Sequence, residues 1–164
     1  MALAIGFAPH SGWAIAVVID GHTVVDRQRI DIAPTSVDRQ VFHAAEGRRD
    51  AHAIVEAGVR EAYEAAVRAV AAFDVATAGV VGLPRDLPEL DAILVNHMLL
   101  HSAEGDLYRA TLADACAGRG WPVTQALAKD LKVEAEAWKG ASSAPWQADH
   151  RLAAAVALRS AAVS

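Results

Sequence analysis

The chain opens with two apolar runs separated by turn residues. Leu3 to Ala8 is short and apolar, Pro9-His10-Ser11-Gly12 has turn chemistry, and Trp13 to Asp20 is β-branched and apolar, which predicts two strands joined by a sharp turn. Asp20-Gly21 is a hairpin signal, and the alternation from Thr23 to Ile32 predicts a third strand antiparallel to the second. Residues 33 to 50 carry Pro34, Thr35, Ser36 and clustered charges, so a long connection with at most a short helix follows. From Ala51 to Phe73 the residues Ile54, Val55, Val59, Ala62, Tyr63, Ala66, Val67 and Val70 recur at helical spacing, with Glu56/Arg60 and Glu64/Arg68 paired outside.

Ala78 to Leu83, bounded by Thr77 and Pro84, has the profile of a central strand. Helical patterning resumes near Pro88 and runs to about Ala117, as one helix or two, until Gly118-Arg119-Gly120 stops it. Pro122 to Leu127 predicts a fifth strand, Asp130 to Lys139 a short helix, Gly140 to Pro145 a small-residue linker and Gln147 to Ala162 a closing helix. Parallel strands joined through helices require right-handed crossovers, so the fourth and fifth strands extend the sheet beside the first. The expectation is one α/β domain over residues 1–164: three antiparallel strands, then αβαβα, in a five-stranded mixed sheet with helices on its faces.

Composition narrows the function. Hydrophobic residues make up 54% against 21% charged, enough apolar surface to offset chain entropy, so a globular fold is expected. The formal net charge of −5 opposes non-specific attraction to a phosphate backbone, and nucleic acid is not the default partner. Cys116 is the single cysteine, has no internal disulfide partner, and falls where a small buried apolar residue is expected. No signal-peptide pattern opens the chain and no apolar run is long enough to span a bilayer, so a soluble cytoplasmic protein is expected. Trp121, Trp138 and Trp146 are read as core-edge residues, and Arg48-Arg49 as a solvated helix entry.

The densest chemistry lies in a repeated segment. His43-Ala44-Ala45-Glu46-Gly47 returns as His101-Ser102-Ala103-Glu104-Gly105. On a continuous helix His97, His101, Glu104 and Tyr108 form one polar stripe within an apolar face. Buried, such a stripe must be satisfied. His97, His101 and Glu104 make a competent ligand set for a divalent metal such as zinc or iron, and His43 and Glu46 would join it if both copies line one pocket. Met98 stands where zinc peptidase helices carry their glutamate base. A hydrogen-bond network or a polar dimer contact is the alternative use of the stripe.

The order of elements resembles the ribonuclease H superfamily, and Gly6-Phe7-Ala8-Pro9-His10-Ser11-Gly12 is similar to the Gly-hydrophobic-Asp-Pro-Gly-Ser stretch of RuvC-type junction resolvases. That resemblance implies a site for two divalent ions about 4 Å apart, held by carboxylates converging from several elements. This chain has Ala8 where the resemblance puts the first-strand aspartate, and Gly82 at the end of the fourth strand where it puts a glutamate. Asp86 and Asp149 are the acids left in plausible places, with His10 at the same edge of the sheet. The reading is a binding or assembly module with a degenerate nuclease site, self-associating as a homodimer or other homo-oligomer through alanine-rich helices. The alternatives are a metal- or His/Glu-dependent hydrolase using His97, His101 and Glu104, and a divergent Mg²⁺ nuclease using Asp86 and Asp149. Candidate catalytic residues are therefore His10, His101, Glu104 and Asp149. In an enzyme, His10, Asp149 and the helical stripe would converge on one pocket.

Overall fold

The computed structural model describes residues 2–163. Strands β1 (Ala4–His10), β2 (Trp13–Asp20) and β3 (Thr23–Asp31) are antiparallel neighbours, while β4 (Thr77–Val81) and β5 (Val123–Ala126) extend the sheet in parallel, giving the order β3-β2-β1-β4-β5. His10 pairs with Trp13 across a two-residue turn in which Gly12 takes φ 85°, a conformation that favours glycine. The helices are α1 (Val41–Ala45), α2 (Ala51–Val70), α3 (Leu90–Leu94), α4 (His97–Gly118), α5 (Lys132–Glu136) and α6 (Ala148–Ala162). Within the described residues this is the predicted layout. No helix among them is long and apolar enough to cross a membrane.

Alternation along β1 divides two cores. Ile5 and Phe7 join Val41, Val55, Ala62, Leu100 and Leu112 beneath α1, α2 and α4. Ala4 and Ala8 face the opposite layer with Val17, Ile19, Leu131 and Trp138 beneath α6. On that side Gly6 and Gly79 are register partners on β1 and β4. A Cβ at Gly6 would lie 1.8 Å from the carbonyl oxygen of Ala153, and one at Gly79 2.4 Å from that of Val156. Helix α6 therefore rests on bare backbone, and Ala153, Ala154, Ala155 and Ala157 are fully buried there.

The structure sharpens three expectations. The patterning from Pro88 breaks into α3 and α4, because the Asn96 side chain accepts the backbone N–H groups of Met98 (3.0 Å) and Leu99 (3.2 Å) and starts a new helix. The apolar stripe of α2 is wider than its buried face: Val55, Ala62, Ala66 and Val70 are buried, whereas Val59, Tyr63 and Val67 remain exposed. Of the alanine-rich helices expected to mediate self-association, α6 packs Ala153, Ala154, Ala155 and Ala157 against its own sheet. Cys116 is buried as expected, and burial pushes its thiol up to about 12, outside nucleophilic use near neutrality.

Candidate functional site

Open α/β sheets place ligands at the carboxyl ends of their parallel strands, where the chain switches direction. Here that edge carries a cleft of about 410 Å³ in the α5–α6 layer nearby and, at the strand ends themselves, one of about 270 Å³ lined by Ala8, His10, Gly82, Arg109, Asp149 and Leu152. The second brings together Ala8 and Gly82, the two positions where the resemblance implies carboxylates.

Two side chains meet across its mouth. The His10 Nε2 lies 2.8 Å from Asp149 Oδ2, joining the end of β1 to the first turn of α6. The imidazole also stacks on Trp13, with centroids 4.2 Å apart and planes 12° apart, while the Arg29 guanidinium lies 4.0 Å from the Trp13 ring centre. Trp13, partly buried against the α6-side core, is thus a platform for His10. Asp149 also benefits from the positive end of α6. The result is a His–Asp pair, but the described residues lining this cleft include no serine, threonine or cysteine to serve as nucleophile.

Arg109, from the middle of α4, closes the other side. A Cβ built on Gly82, whose φ is +112°, would lie 2.0 Å from the Arg109 Cδ, so the arginine stem occupies the space a side chain at 82 would need. Its Nε is buried without a hydrogen-bond partner among the described residues, and its terminal nitrogen is 3.7 Å from Asp106 Oδ1. Burial lowers the Arg109 pKa, opposed by Asp106 and assisted by Arg85. Asp106 also accepts the Arg85 backbone N–H at 3.2 Å. Asp86 is exposed in the loop after β4 and does not line this cleft. A cation thus stands where the resemblance implies a metal ligand.

His150, next to Asp149, tunes the same helix start. The Gln147 backbone N–H donates to His150 Nδ1 at 3.1 Å, which requires that nitrogen unprotonated. Burial, with Arg27 assisting and Asp149 opposing, depresses its pKa below the ordinary 6.5. Because the folded state disfavours the proton, this contribution to stability is complete above about pH 6.5 and is lost as pH falls through the lower folded value. Urea midpoints measured between these limits are expected to fall more steeply with acid in the wild type than in His150→Gln. Parallel curves would remove His150 as the source.

The histidine stripe lies elsewhere. None of His97, His101, Glu104 and Tyr108 lines the His10–Asp149 cleft, so the single pocket expected of an enzyme is replaced by two separate groups. The stripe also changes character along α4: His97 and His101 are exposed, Glu104 and Tyr108 buried. The segment around α1 makes the difference. Tyr108 donates its hydroxyl to the Arg39 carbonyl, and Glu104 Oε1 accepts from the backbone N–H groups of Phe42 (2.6 Å) and His43 (3.0 Å) and lies 3.2 Å from His43 Nδ1. Burial, with the Glu104 charge nearby, raises the Tyr108 pKa.

The two copies of the repeated segment therefore do meet, in an arrangement that differs from the expected ligand set. Glu104 serves α1, and the ring nitrogens that converge belong to His43, His97 and His101. Glu46 is exposed at the end of α1 and stands outside that group. Arg109 had no mark in the sequence beyond being one more helical arginine.

The sequence matches no protein-family model and no curated protein. Solved structures do match. RuvC from Thermus thermophilus in complex with a Holliday junction substrate superposes with a TM-score of 0.57 at 12% identity, covering 96% of this chain and 91% of that one. A second T. thermophilus RuvC structure gives a TM-score of 0.54 at 11% identity, over 95% and 90% of the two chains. At such identity the likeness shows the fold, which is ribonuclease H-like.

Proposed function

We propose that this chain is a binding and assembly module on a ribonuclease H-like fold, with no two-metal cleavage of nucleic acid at its sheet edge. The observation that carries the reading is Arg109 lying across Gly82. Two-metal catalysis needs several carboxylates around ions about 4 Å apart, and a guanidinium in that space repels a cation as strongly as a carboxylate would attract it. Among the described residues lining the cleft the one carboxylate is Asp149, already 2.8 Å from His10. The net charge of −5 works against a phosphate-rich ligand as well.

The partner in this proposal is a second copy of the chain. With the α6 alanines buried internally, support comes from the row Val59, Tyr63 and Val67, between 37% and 40% exposed on one line of α2.

Incubation with Holliday junctions and RNA–DNA hybrids in Mg²⁺ or Mn²⁺ is expected to give no cleavage. Metal-dependent products lost in Asp149→Asn would establish the divergent nuclease instead. Sedimentation velocity tests the assembly part, with a dimer expected. A wild-type chain that stays monomeric at high concentration removes self-association from the reading.

A further inference from the structure

Three histidines drawn from two helices present ring nitrogens that all lie within 4.8 Å of one another. We propose that His43, His97 and His101 bind one zinc-class divalent ion, with Glu104 as the outer carboxylate that orients His43. The site is separate from the sheet-edge cleft and does not rest on the function proposed above.

The geometry begins on α4. His97 and His101 are one turn apart, their Nε2 atoms 3.0 Å from each other and their rings nearly perpendicular at 83°. Two nitrogens bound to one tetrahedral ion at about 2.05 Å are separated by about 3.3 Å, so this pair is already close to a ligand spacing. Neither ring has a carboxylate among the contacts of the described residues. The third nitrogen comes from α1, where the His43 ring centre is 4.8 Å from that of His101 and 5.8 Å from that of His97.

Glu104 supplies a second and independent observation. It is 4% exposed, and Oε1 is saturated by Phe42, His43 and the His43 ring, while Oε2 is buried with no hydrogen-bond partner among the described residues. An ionised carboxylate in that setting calls for a compensating positive charge. A divalent ion one imidazole away provides it. With His43 Nδ1 held by Glu104, the tautomer leaves Nε2 as the nitrogen free to coordinate, the usual carboxylate–histidine–metal relation.

Donor chemistry selects the ion. Three neutral imidazoles suit Zn²⁺, Co²⁺, Ni²⁺ or Cu²⁺, whereas Mg²⁺ and Ca²⁺ require oxygen ligands. His97 and His101 are exposed, so solvent completes the coordination.

Untagged protein is titrated with Zn²⁺ by calorimetry and with Co²⁺ by visible absorption. One equivalent is expected, with the d–d bands of a four- or five-coordinate Co²⁺ that Zn²⁺ displaces and excess Mg²⁺ does not. His101→Ala, at an exposed position, and His43→Ala are expected to abolish those bands. Glu104→Gln keeps an acceptor for α1 but removes the charge, and is expected to weaken binding ~10–100-fold. His52→Ala, at an exposed histidine paired with Asp91, is expected to change nothing. No stoichiometric uptake by folded wild-type protein, or uptake that survives both His43→Ala and His101→Ala, overturns the site. Wild-type affinity in Glu104→Gln overturns the role of the carboxylate.

Discussion

Gly6→Ala is expected to lower stability by about 3 kcal/mol or more, among the larger effects of adding a single methyl group to a packed interior. The new carbon would sit 1.8 Å from the Ala153 carbonyl oxygen, and backbone on backbone cannot be relieved by a rotamer change. The sheet and α6 must separate instead. Since α6 carries Asp149 and β1 carries His10, the 2.8 Å contact between them opens at the same time. Gly120→Ala is the contrast: its φ is +80° but nothing lies within 4 Å, so it incurs backbone strain of about 1 kcal/mol without any clash. Urea unfolding of the two variants separates the effects. Equal midpoints for Gly6→Ala and wild type would mean that α6 does not rest on the β1 backbone.

That contact explains why the fold was more legible than the site. Periodicity finds elements because a strand or helix exposes its pattern locally, and the order of elements then limits the topology. It does not say which small residues face each other. Alanine-rich helices were expected to face another copy, and the paired Gly6 and Gly79 are what seat α6 on its own sheet instead. His10 and Asp149 are 139 residues apart, and their meeting was accessible only through the resemblance that places both at one sheet edge. Arg109 was not accessible at all. Its importance comes from the missing side chain at Gly82, and one sequence does not connect the two. The repeated segment lies between these cases. Its two histidine-containing copies do come together, but the pattern could not show that α1 would cover Glu104 and Tyr108 while leaving His97 and His101 in solvent.

Glu104→Ala is expected to release α1 from α4 and to cost about 3 kcal/mol, because it strands buried donors and removes charge-assisted hydrogen bonds together. Helix α1 has five residues, too few to persist alone, and its N-cap residue Gln40 makes no side-chain cap hydrogen bond. Its first turn is held from outside. The carboxylate of Glu104 accepts the Phe42 and His43 N–H groups, as an N-cap residue would, from 62 and 61 residues away. Tyr108 provides a second anchor through the Arg39 carbonyl. Tyr108→Phe removes that bond while keeping the ring in the core, so its cost is expected to be smaller, about 1 kcal/mol. Hydrogen exchange is the direct measurement: in Glu104→Ala the Phe42 and His43 amides are expected to lose protection while the amides of β1 and β4 retain theirs. Glu104→Gln is expected to preserve most of that protection, since its amide oxygen can still accept. If the Phe42 amide is equally protected in Glu104→Ala and wild type, the cap is not what holds α1. His43 would then owe its place beside His97 and His101 to packing of Val41 and Phe42 and to the Tyr108 anchor.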